Sequence, residues 1–307
     1  MRRKIRMEKF DCIVIGAGPA GFSAALTLGR ARRKVAIIDN GTNRNRVTQE
    51  SHGFLTRDGI KPQEFKDIAI KELASYPSVS FAKETVIEVN KDDQRNLFLV
   101  NTSNNKSYST EKILLATGVQ EEFPLSQIRQ YYGKSLFNCP YCDGWELRDK
   151  PLAIIAENEE HIIHITKLVF NWSQNLIVFT NGHPLSNKVQ NDFESKKIKV
   201  YTGVIKDLHG DNGDLESIEL ESGENILRNG GFVVPRFYRP NKFAEQLNCQ
   251  LDENGGVITD SAGRTSANGV YIAGETEKAG PSSLMLAAAD GSRAAFSLNM
   301  DLTLERF

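Results

Sequence analysis

The sequence has few cysteines, no excess charge of either sign and no long apolar segment. Its 307 residues include four cysteines, which are too few for the disulfide framework of a small secreted domain. Lysine and arginine total 38 against 39 aspartates and glutamates, a balance that provides no field to attract nucleic acid or anionic lipid. No segment reaches the roughly 18 apolar residues that a membrane-spanning helix needs. We therefore expect a cytoplasmic protein that binds neither nucleic acid nor membranes.

Length and composition indicate a folded protein of two domains. Hydrophobic residues make up 40% of the chain and charged residues 25%, close to the average for globular proteins. The chain begins with the basic segment MRRKIRMEK, but the apolar run after it is short and leads into a glycine motif. We therefore predict no signal peptide.

A strand, a glycine turn, a helix and a second strand begin the fold. Residues 10–15 (FDCIVI) are apolar and β-branched, as in a strand that is buried on both faces. GAGPAG follows at 16–21, and a second apolar run at 35–38 closes on Asp39. Glycines at this spacing let a pyrophosphate approach the helix N-terminus, and the acid accepts a hydrogen bond from a ribose hydroxyl. The pattern predicts a dinucleotide site at Gly16, Gly18, Gly21 and Asp39.

The same pattern recurs later, which predicts an α/β fold with two nucleotide-binding domains. A strand at 152–155 (LAII), a helix from about 159 and a strand at 176–179 (LIVF) form a second βαβ unit. The segment GVYIAGE at 269–275 and a long helix from about Ser282 return to the first domain. We predict two Rossmann-like, three-layer domains: the first spans 1–118 and 236–307, and the second is inserted at 119–235.

Cys139 and Cys142 form a CxxC pair within the sequence CPYCDGWE. At the start of a helix such a pair closes a small disulfide ring, and the helix N-terminus lowers the pKa of a thiolate, which favours exchange. Two other interpretations are half of a zinc site and an inert buried pair. The remaining cysteines, Cys12 and Cys249, do not form a second CxxC, so we predict a redox pair and no metal site.

The order of GAGPAG, LLATGV, CPYCDGWE and GVYIAGE, followed by a long helix, resembles the low-molecular-weight thioredoxin reductase-like family of flavoproteins. The resemblance implies an FAD domain interrupted by a pyridine-nucleotide-like domain that carries the CxxC. It also implies a homodimer that exchanges electrons with a thioredoxin-like protein or a small disulfide substrate. By this similarity Cys142 is the sulfur next to the flavin, Cys139 meets the substrate disulfide, and Asp143 is a general acid.

The resemblance also implies a set of FAD contacts. Pro19 within the glycine turn is similar to the flavin-binding members, and Glu275 stands where the family has an aspartate that holds the ribityl chain. His52 lies in the loop that approaches the flavin in the family. The implied FAD-binding residues are Gly16, Gly18, Pro19, Ala20, Gly21, Asp39, His52, Ala116, Thr117, Gly118, Gly274, Glu275, Ser282 and Ser283. For the two serines, simple capping of the last helix is an alternative.

The inserted domain departs from the family at its own dinucleotide turn. Residues 156–161 read AENEEH, without any of the required glycines and with three carboxylates that oppose a pyrophosphate. No arginine follows the next strand to bind a 2'-phosphate. We therefore predict that NADPH is not the electron donor, and a ferredoxin-type protein is the first alternative. An altered turn that still binds NADPH, a dithiol oxidase that uses oxygen, and a redox sensor without turnover remain open.

Overall fold

The computed structural model describes residues 7–240, 242–253, 255–277 and 283–307. The helices within these ranges are α1 (Pro19–Arg30), α2 (Pro62–Leu73), α3 (Pro140–Asp143), α4 (Glu159–Val169), α5 (Asn187–Ser195), α6 (Phe243–Gln246) and α7 (Leu284–Arg306). The strands are β1 (Glu8–Ile15), β2 (Val35–Asp39), β3 (Val79–Lys83), β4 (Val86–Asp92), β5 (Leu97–Thr102), β6 (Ser107–Leu115), β7 (Gln120–Glu122), β8 (Leu136–Phe137), β9 (Leu152–Ile155), β10 (Leu176–Phe179), β11 (Lys199–Tyr201), β12 (Ile205–Asp211), β13 (Asp214–Leu220), β14 (Asn225–Leu227), β15 (Gly231–Val233), β16 (Arg236–Tyr238) and β17 (Val270–Ile272).

The chain divides into two compact units. The first comprises Met1–Arg46, Pro62–Gln120 and Phe237–Phe307, and the second comprises Val47–Lys61 and Glu121–Arg236. The segment Val47–Lys61 therefore groups with the second unit, whereas the sequence boundaries placed it within 1–118. One reason is Gly133, whose missing side chain leaves room for the Val47 carbonyl oxygen, 2.6 Å from where a Cβ would stand.

The first unit is built on a mainly parallel sheet with the strand order β3-β2-β1-β6-β5-β4. β17 pairs with residues 113–115 of β6, and β5 pairs in antiparallel fashion with residues 107–110 of the same strand. In the parallel part, Ile38, Ile15, Leu115 and Ile272 are neighbours in register across four strands. The chain segments that follow these four residues therefore leave the sheet side by side at one edge.

Both faces of this sheet are covered, which explains the uninterrupted apolar runs of β1 and β2. On one face, α1 and α7 pack in a cluster that includes Leu28, Ala295 and Leu298, all fully buried. On the other face, the parallel strands share a core with Val89 and Phe98 from the antiparallel part of the sheet, β4 and β5, and with Phe243 of the short helix α6. The predicted three-layer arrangement follows from these two cores.

The second unit contains an all-parallel sheet with the order β11-β10-β9-β15-β8. Ile155 is in register with Phe179 on one side and with Val233 on the other, so the turn after β9 lies at a sheet edge like that of the first unit. Three antiparallel strands, β12, β13 and β14, form a separate sheet. The α/β fold class predicted from the sequence is confirmed.

The short length of helix α3 and the pairing of β7 with β16 were not predicted from the sequence. The helix that begins after Cys139 is a single turn, Pro140–Asp143, so it has a much smaller dipole than a long helix. β7 and β16 pair as a two-stranded sheet, which no sequence pattern indicated. Among the residues that the structure describes, none of the helices combines the length and apolar character needed to span a bilayer.

The contact between α1 and α7 provides a test of the packing. A Cβ on Gly291 of α7 would stand 2.0 Å from the Ala20 carbonyl oxygen of α1, so the two helices touch backbone to backbone. We expect Gly291→Ala to lower the free energy of unfolding by about 1–3 kcal/mol, although alanine favours helices. Thermal and urea unfolding followed by circular dichroism measure this change. The control is Leu304→Ala, an exposed position on the same helix, which we expect to change stability by less than about 0.5 kcal/mol. Equal stability of the two variants would contradict this packing.

Candidate functional site

The glycine turn after β1 contains glycines of two kinds. A Cβ on Gly16 would lie 2.3 Å from the Ala116 carbonyl oxygen, and one on Gly21 would lie 2.0 Å from the Gly16 carbonyl oxygen. These two glycines are required by the packing of the chain itself. Gly18 differs, because its φ of −83° suits any residue and a Cβ there would have no described protein atom within 4 Å. Open space in front of this glycine is what the close approach of a phosphate requires.

The N-terminus of α1 is open in the same place. Gly18 is the N-cap residue and Pro19 occupies the first turn, and no side-chain hydrogen bond from its N-cap closes the helix. The N–H groups of a first helical turn have no partner within the helix and carry a partial positive charge. This end of α1 is therefore suited to a diphosphate.

Asp39 stands at the end of β2, beside this turn. One of its carboxylate oxygens, Oδ1, accepts a hydrogen bond from the Ala17 N–H at 3.0 Å. The other, Oδ2, accepts hydrogen bonds from the Gly41 N–H at 3.0 Å and from the Lys66 ammonium group at 2.8 Å. Asp39 thus links the glycine turn to α2. Lys66 was not identified from the sequence, because no local motif connects it to Asp39.

The segments after β6 and β17 are joined directly. Gly118 donates its backbone N–H to the hydroxyl oxygen of Thr276 at 2.8 Å, and that threonine is buried. Arg239 supports the second segment by donating hydrogen bonds to the carbonyl oxygens of Thr276 and Glu277, both at 2.8 Å. Neither Thr276 nor Arg239 was singled out from the sequence. The register of Ile272 with Leu115 brings Ala116, Thr117, Gly118, Gly274 and Glu275 to one edge of the sheet.

Glu275 is held by an arginine from a distant segment. Its Oε1 accepts a hydrogen bond from Arg44 Nη2 at 2.9 Å, and both side chains are more than four-fifths buried. The Arg44 guanidinium also lies 5.6 Å from the centre of the Phe237 ring. Glu275, which is longer than the aspartate that the family has at this position, thus extends to Arg44.

The remaining residues of the predicted cofactor set have different surroundings. Ser283 caps α7, because its hydroxyl oxygen accepts the Leu286 N–H at 3.1 Å, and Ser282 lies outside the described residues. His52 belongs to the second unit, where its ring nitrogens lie 3.6–3.8 Å from the carboxylates of Glu50, Asp58 and Glu146. Its predicted contact with FAD stays a prediction.

Cys139 and Cys142 form a disulfide, with their Cα atoms 5.3 Å apart. Cys139 is the N-cap residue of α3, and its carbonyl oxygen accepts the N–H groups of Cys142 and Asp143 at 3.0 and 3.2 Å. Both cysteines and Asp143 are half-buried. A carboxylate thus follows directly on a disulfide between two half-buried cysteines.

Two aromatic residues close to this disulfide in sequence have largely exposed side chains. Tyr141 is 76% exposed and Trp145 is 66% exposed. The Tyr141 ring meets Trp172 edge-on, with ring centres 5.7 Å apart, and the Arg148 guanidinium stacks 4.1 Å from the centre of Trp145. Exposed aromatic side chains with an adjacent arginine are typical of surfaces that bind partners. No sequence motif indicated a role for these residues.

The other two cysteines are not suited to redox chemistry. Cys12 and Cys249 are free and buried. Burial raises the pKa of both thiols, which keeps them protonated at neutral pH. Cys139 and Cys142 therefore remain the candidate reactive pair.

The turn after β9 corresponds in position to the glycine turn but is closed by its own side chains. Asn158 is the N-cap residue of α4, and its side-chain oxygen accepts the His161 N–H at 3.2 Å. Glu159 and Glu160 occupy the first turn of the same helix. The N-terminus of α4 thus has a cap and two carboxylates where α1 has open space.

The carboxylates around this turn are bonded to neighbouring segments. Glu157 accepts a hydrogen bond from the Asn181 amide at 2.6 Å, and Asn181 in turn accepts the Ile205 N–H at 3.0 Å. Glu159 accepts the Ser186 hydroxyl at 3.1 Å. These bonds fix the turn without any ligand. No group of three or more His, Cys, Asp or Glu side chains arranged for a metal ion occurs in the described parts of the chain.

Known proteins are similar to this chain over most of its length. The sequence profile of the pyridine nucleotide-disulphide oxidoreductase family matches residues 10–165 and 173–291. The crystal structure of TrxB of Bacillus anthracis, assigned as a thioredoxin reductase, is 55% identical, has a TM-score of 0.95 and covers 97% of this chain and 100% of its own. Thioredoxin reductase sirT of Leptosphaeria maculans is 31% identical over 87% of this chain and 86% of its own. An Arthroderma benhamiae protein also assigned as a thioredoxin reductase is 28% identical over 97% and 82%.

The family profile extends over the glycine turn, the CxxC and the beginning of the last helix, and it confirms the family relationship inferred from the motifs. The chain therefore belongs to the pyridine nucleotide-disulphide oxidoreductase family, as an FAD-binding disulfide oxidoreductase of the thioredoxin reductase-like kind.

Proposed function

We propose that this chain transfers electrons between FAD and the disulfide of a thioredoxin-like protein through Cys139 and Cys142, and that NADPH is not its donor. The observation that carries the proposal is the contrast between the two turns. The turn after β1 is open to a diphosphate, whereas the turn after β9 is closed by Asn158. A small-molecule disulfide is the second class of substrate.

The residues of the first unit fit FAD. Gly18 and the first turn of α1 offer space and N–H groups for the diphosphate, and Asp39 retains an acceptor position for a ribose hydroxyl. Gly118, Gly274 and Glu275 would line the flavin end. When bound and reduced by its donor, the flavin would supply the electron pair that reduces the disulfide.

The two kinds of glycine allow a sharp test of this placement. We expect Gly18→Val to fold with wild-type secondary structure and to purify without FAD, because only the space for the diphosphate is lost. Gly21→Val should fail to fold, because its side chain would meet the Gly16 carbonyl oxygen. Flavin absorbance per chain and circular dichroism measure the two effects. If Gly18→Val retains FAD as tightly as the wild type, the diphosphate does not bind at this turn.

The exchange chemistry belongs to the CxxC. With the pair reduced, the Cys139 thiolate attacks one sulfur of the partner disulfide, which forms a mixed disulfide and releases the other partner sulfur as a thiolate. Cys142 then attacks Cys139, re-forms the disulfide of this chain and releases the partner as a dithiol. Two electrons pass to the partner, and two protons accompany them. Asp143, directly after Cys142, is placed in sequence to supply or accept one of these protons.

The order of the two sulfurs is testable by trapping. We expect the reduced Cys142→Ser variant to accumulate a mixed disulfide with oxidised thioredoxin, because no second thiol releases the partner. Cys139→Ser should form it at least about tenfold more slowly, because its remaining thiol is not the attacking one. Intact mass after quenching with acid measures both rates, and the wild type serves as the control without accumulation. Faster trapping by Cys139→Ser would reverse the assignment.

Charge and occupied hydrogen bonds both oppose the binding of NADPH at the turn after β9. The cap from Asn158 satisfies a donor that a pyrophosphate would otherwise use, and Glu159 and Glu160 oppose a bound anion. Each carboxylate near a pyrophosphate costs on the order of 1 kcal/mol at a surface-like dielectric, so several of them weaken binding about a hundredfold. A protein donor of the ferredoxin type does not need this turn.

Parallel anaerobic reduction tests the donor. We expect NADPH and NADH at about 0.2 mM, within the usual range of KM values, to leave the flavin absorbance unchanged for minutes, while reduced ferredoxin bleaches it. Stopped-flow absorbance at the flavin maximum follows the reaction with each of the three donors. Reduction by dithionite is the control which shows that the flavin is reducible. Bleaching by NADPH within seconds would contradict the proposal and would make the chain an ordinary NADPH-dependent reductase.

A further inference from the structure

Lys66 of α2 is a buried lysine that no motif of the sequence accounts for. Its side chain is 11% exposed, and its ammonium group lies 2.8 Å from Asp39 Oδ2 and 3.3 Å from Asn43 Oδ1. All three residues belong to the unit that contains the glycine turn. A lysine is rarely buried unless it is paired, so the position of this charge calls for an explanation.

The hydrogen bonds of Asp39 show what Lys66 contributes. The two oxygens of a carboxylate accept about four hydrogen bonds in total. Asp39 Oδ2 already accepts the Gly41 N–H and the Lys66 ammonium group, whereas among the described residues Oδ1 accepts one hydrogen bond, from the Ala17 N–H. The remaining acceptor position is therefore on Oδ1, the oxygen bonded to the glycine turn. Lys66 helps to hold the carboxylate in this orientation.

Charge gives a second reason for the pair. The Asp39 side chain is 10% exposed and lies beside the turn that is open to a diphosphate. Without Lys66 its negative charge would be buried, without an ionic partner, and close to another anion. With Lys66 in place, Asp39 retains its hydrogen-bonding oxygen while the net charge of the pair is zero.

We propose that Lys66 is a positioning residue for FAD, which orients Asp39 and compensates its charge so that the adenosine diphosphate half of the cofactor binds. This inference rests on the proposed placement of that half at the glycine turn. It adds a residue that determines cofactor affinity from outside the dinucleotide motif. A lysine with a purely structural role would instead affect the stability of the fold and leave the affinity for FAD unchanged.

The test measures FAD affinity in the full-length holoenzyme. Dilution followed by the rise of free flavin fluorescence gives the Kd of FAD, and displacement of FAD by ADP gives the affinity for the adenosine diphosphate half alone. We expect Lys66→Met to weaken FAD and ADP by the same factor of at least about tenfold, the loss that follows when one partner of a buried ion pair is removed. Lys66→Arg should stay within about threefold of the wild type because it retains the charge. Lys71→Met, an exposed position on the same helix, is the matched control.

A double variant separates positioning from folding. In the Asp39→Asn background, Lys66→Met should weaken FAD by much less than in the wild type, because no uncompensated carboxylate is left. If Lys66→Met does not fold, Lys66→Gln, which retains an N–H donor without the charge, takes its place in both backgrounds. Unchanged FAD affinity, an effect on FAD without one on ADP, or an equal loss in both backgrounds would each overturn the inference. A wild-type protein whose FAD is not displaced by ADP would instead contradict the proposed placement itself.

Discussion

The register across β2, β1, β6 and β17 determines where the candidate cofactor site can lie. Ile38, Ile15, Leu115 and Ile272 are aligned across these strands, so the next residues of all four segments emerge at one edge of the sheet. In open parallel sheets this carboxyl edge is where ligands bind. The glycine turn, Asp39, the residues 116–118 and Gly274 with Glu275 meet there for this reason. A slip of one register position would turn the side chains of the slipped strand to the opposite face of the sheet.

The second unit repeats this geometry but closes the corresponding turn. Ile155 is aligned with Phe179 and Val233 just as Ile15 is aligned with its neighbours. At the first edge, Gly18 leaves space and α1 has no side-chain cap, whereas at the second edge Asn158 caps α4 and Glu157 and Glu159 are bonded to nearby loops. A shared architecture thus carries two different helix N-termini, one without a side-chain cap and one capped by Asn158.

Features of the structure that depend on a local sequence pattern are predictable from the sequence alone. The βαβ units, the glycine turn, the CxxC and the missing glycines at 156–161 are all visible as spacing or composition, because each depends on neighbours along the chain. Lys66, Arg44 and Thr276 are not predictable in this way. Each one reaches its partner from a distant segment, so only the tertiary structure brings the pair together.

The grouping of Val47–Lys61 with the second unit has the same cause. That segment has no strong periodicity, and its assignment depends on contacts such as the one at Gly133 and on the carboxylates around His52. Gly144, the residue after α3, is also constrained by tertiary packing. A Cβ at Gly144 would stand 2.8 Å from the Trp172 ring, a contact between residues that are far apart in sequence.

Electron exchange between two redox centres of one chain, FAD and the Cys139–Cys142 disulfide, is the main step of the proposed function. Anaerobic titration with dithionite, followed at the flavin maximum and by counting free thiols after each addition, tests it most directly. The account predicts that the wild type takes up about two electrons more per chain than the Cys139→Ser/Cys142→Ser double variant, with new thiols appearing only in the wild type. Equal electron uptake by the two proteins, with no new thiols in the wild type, would contradict it.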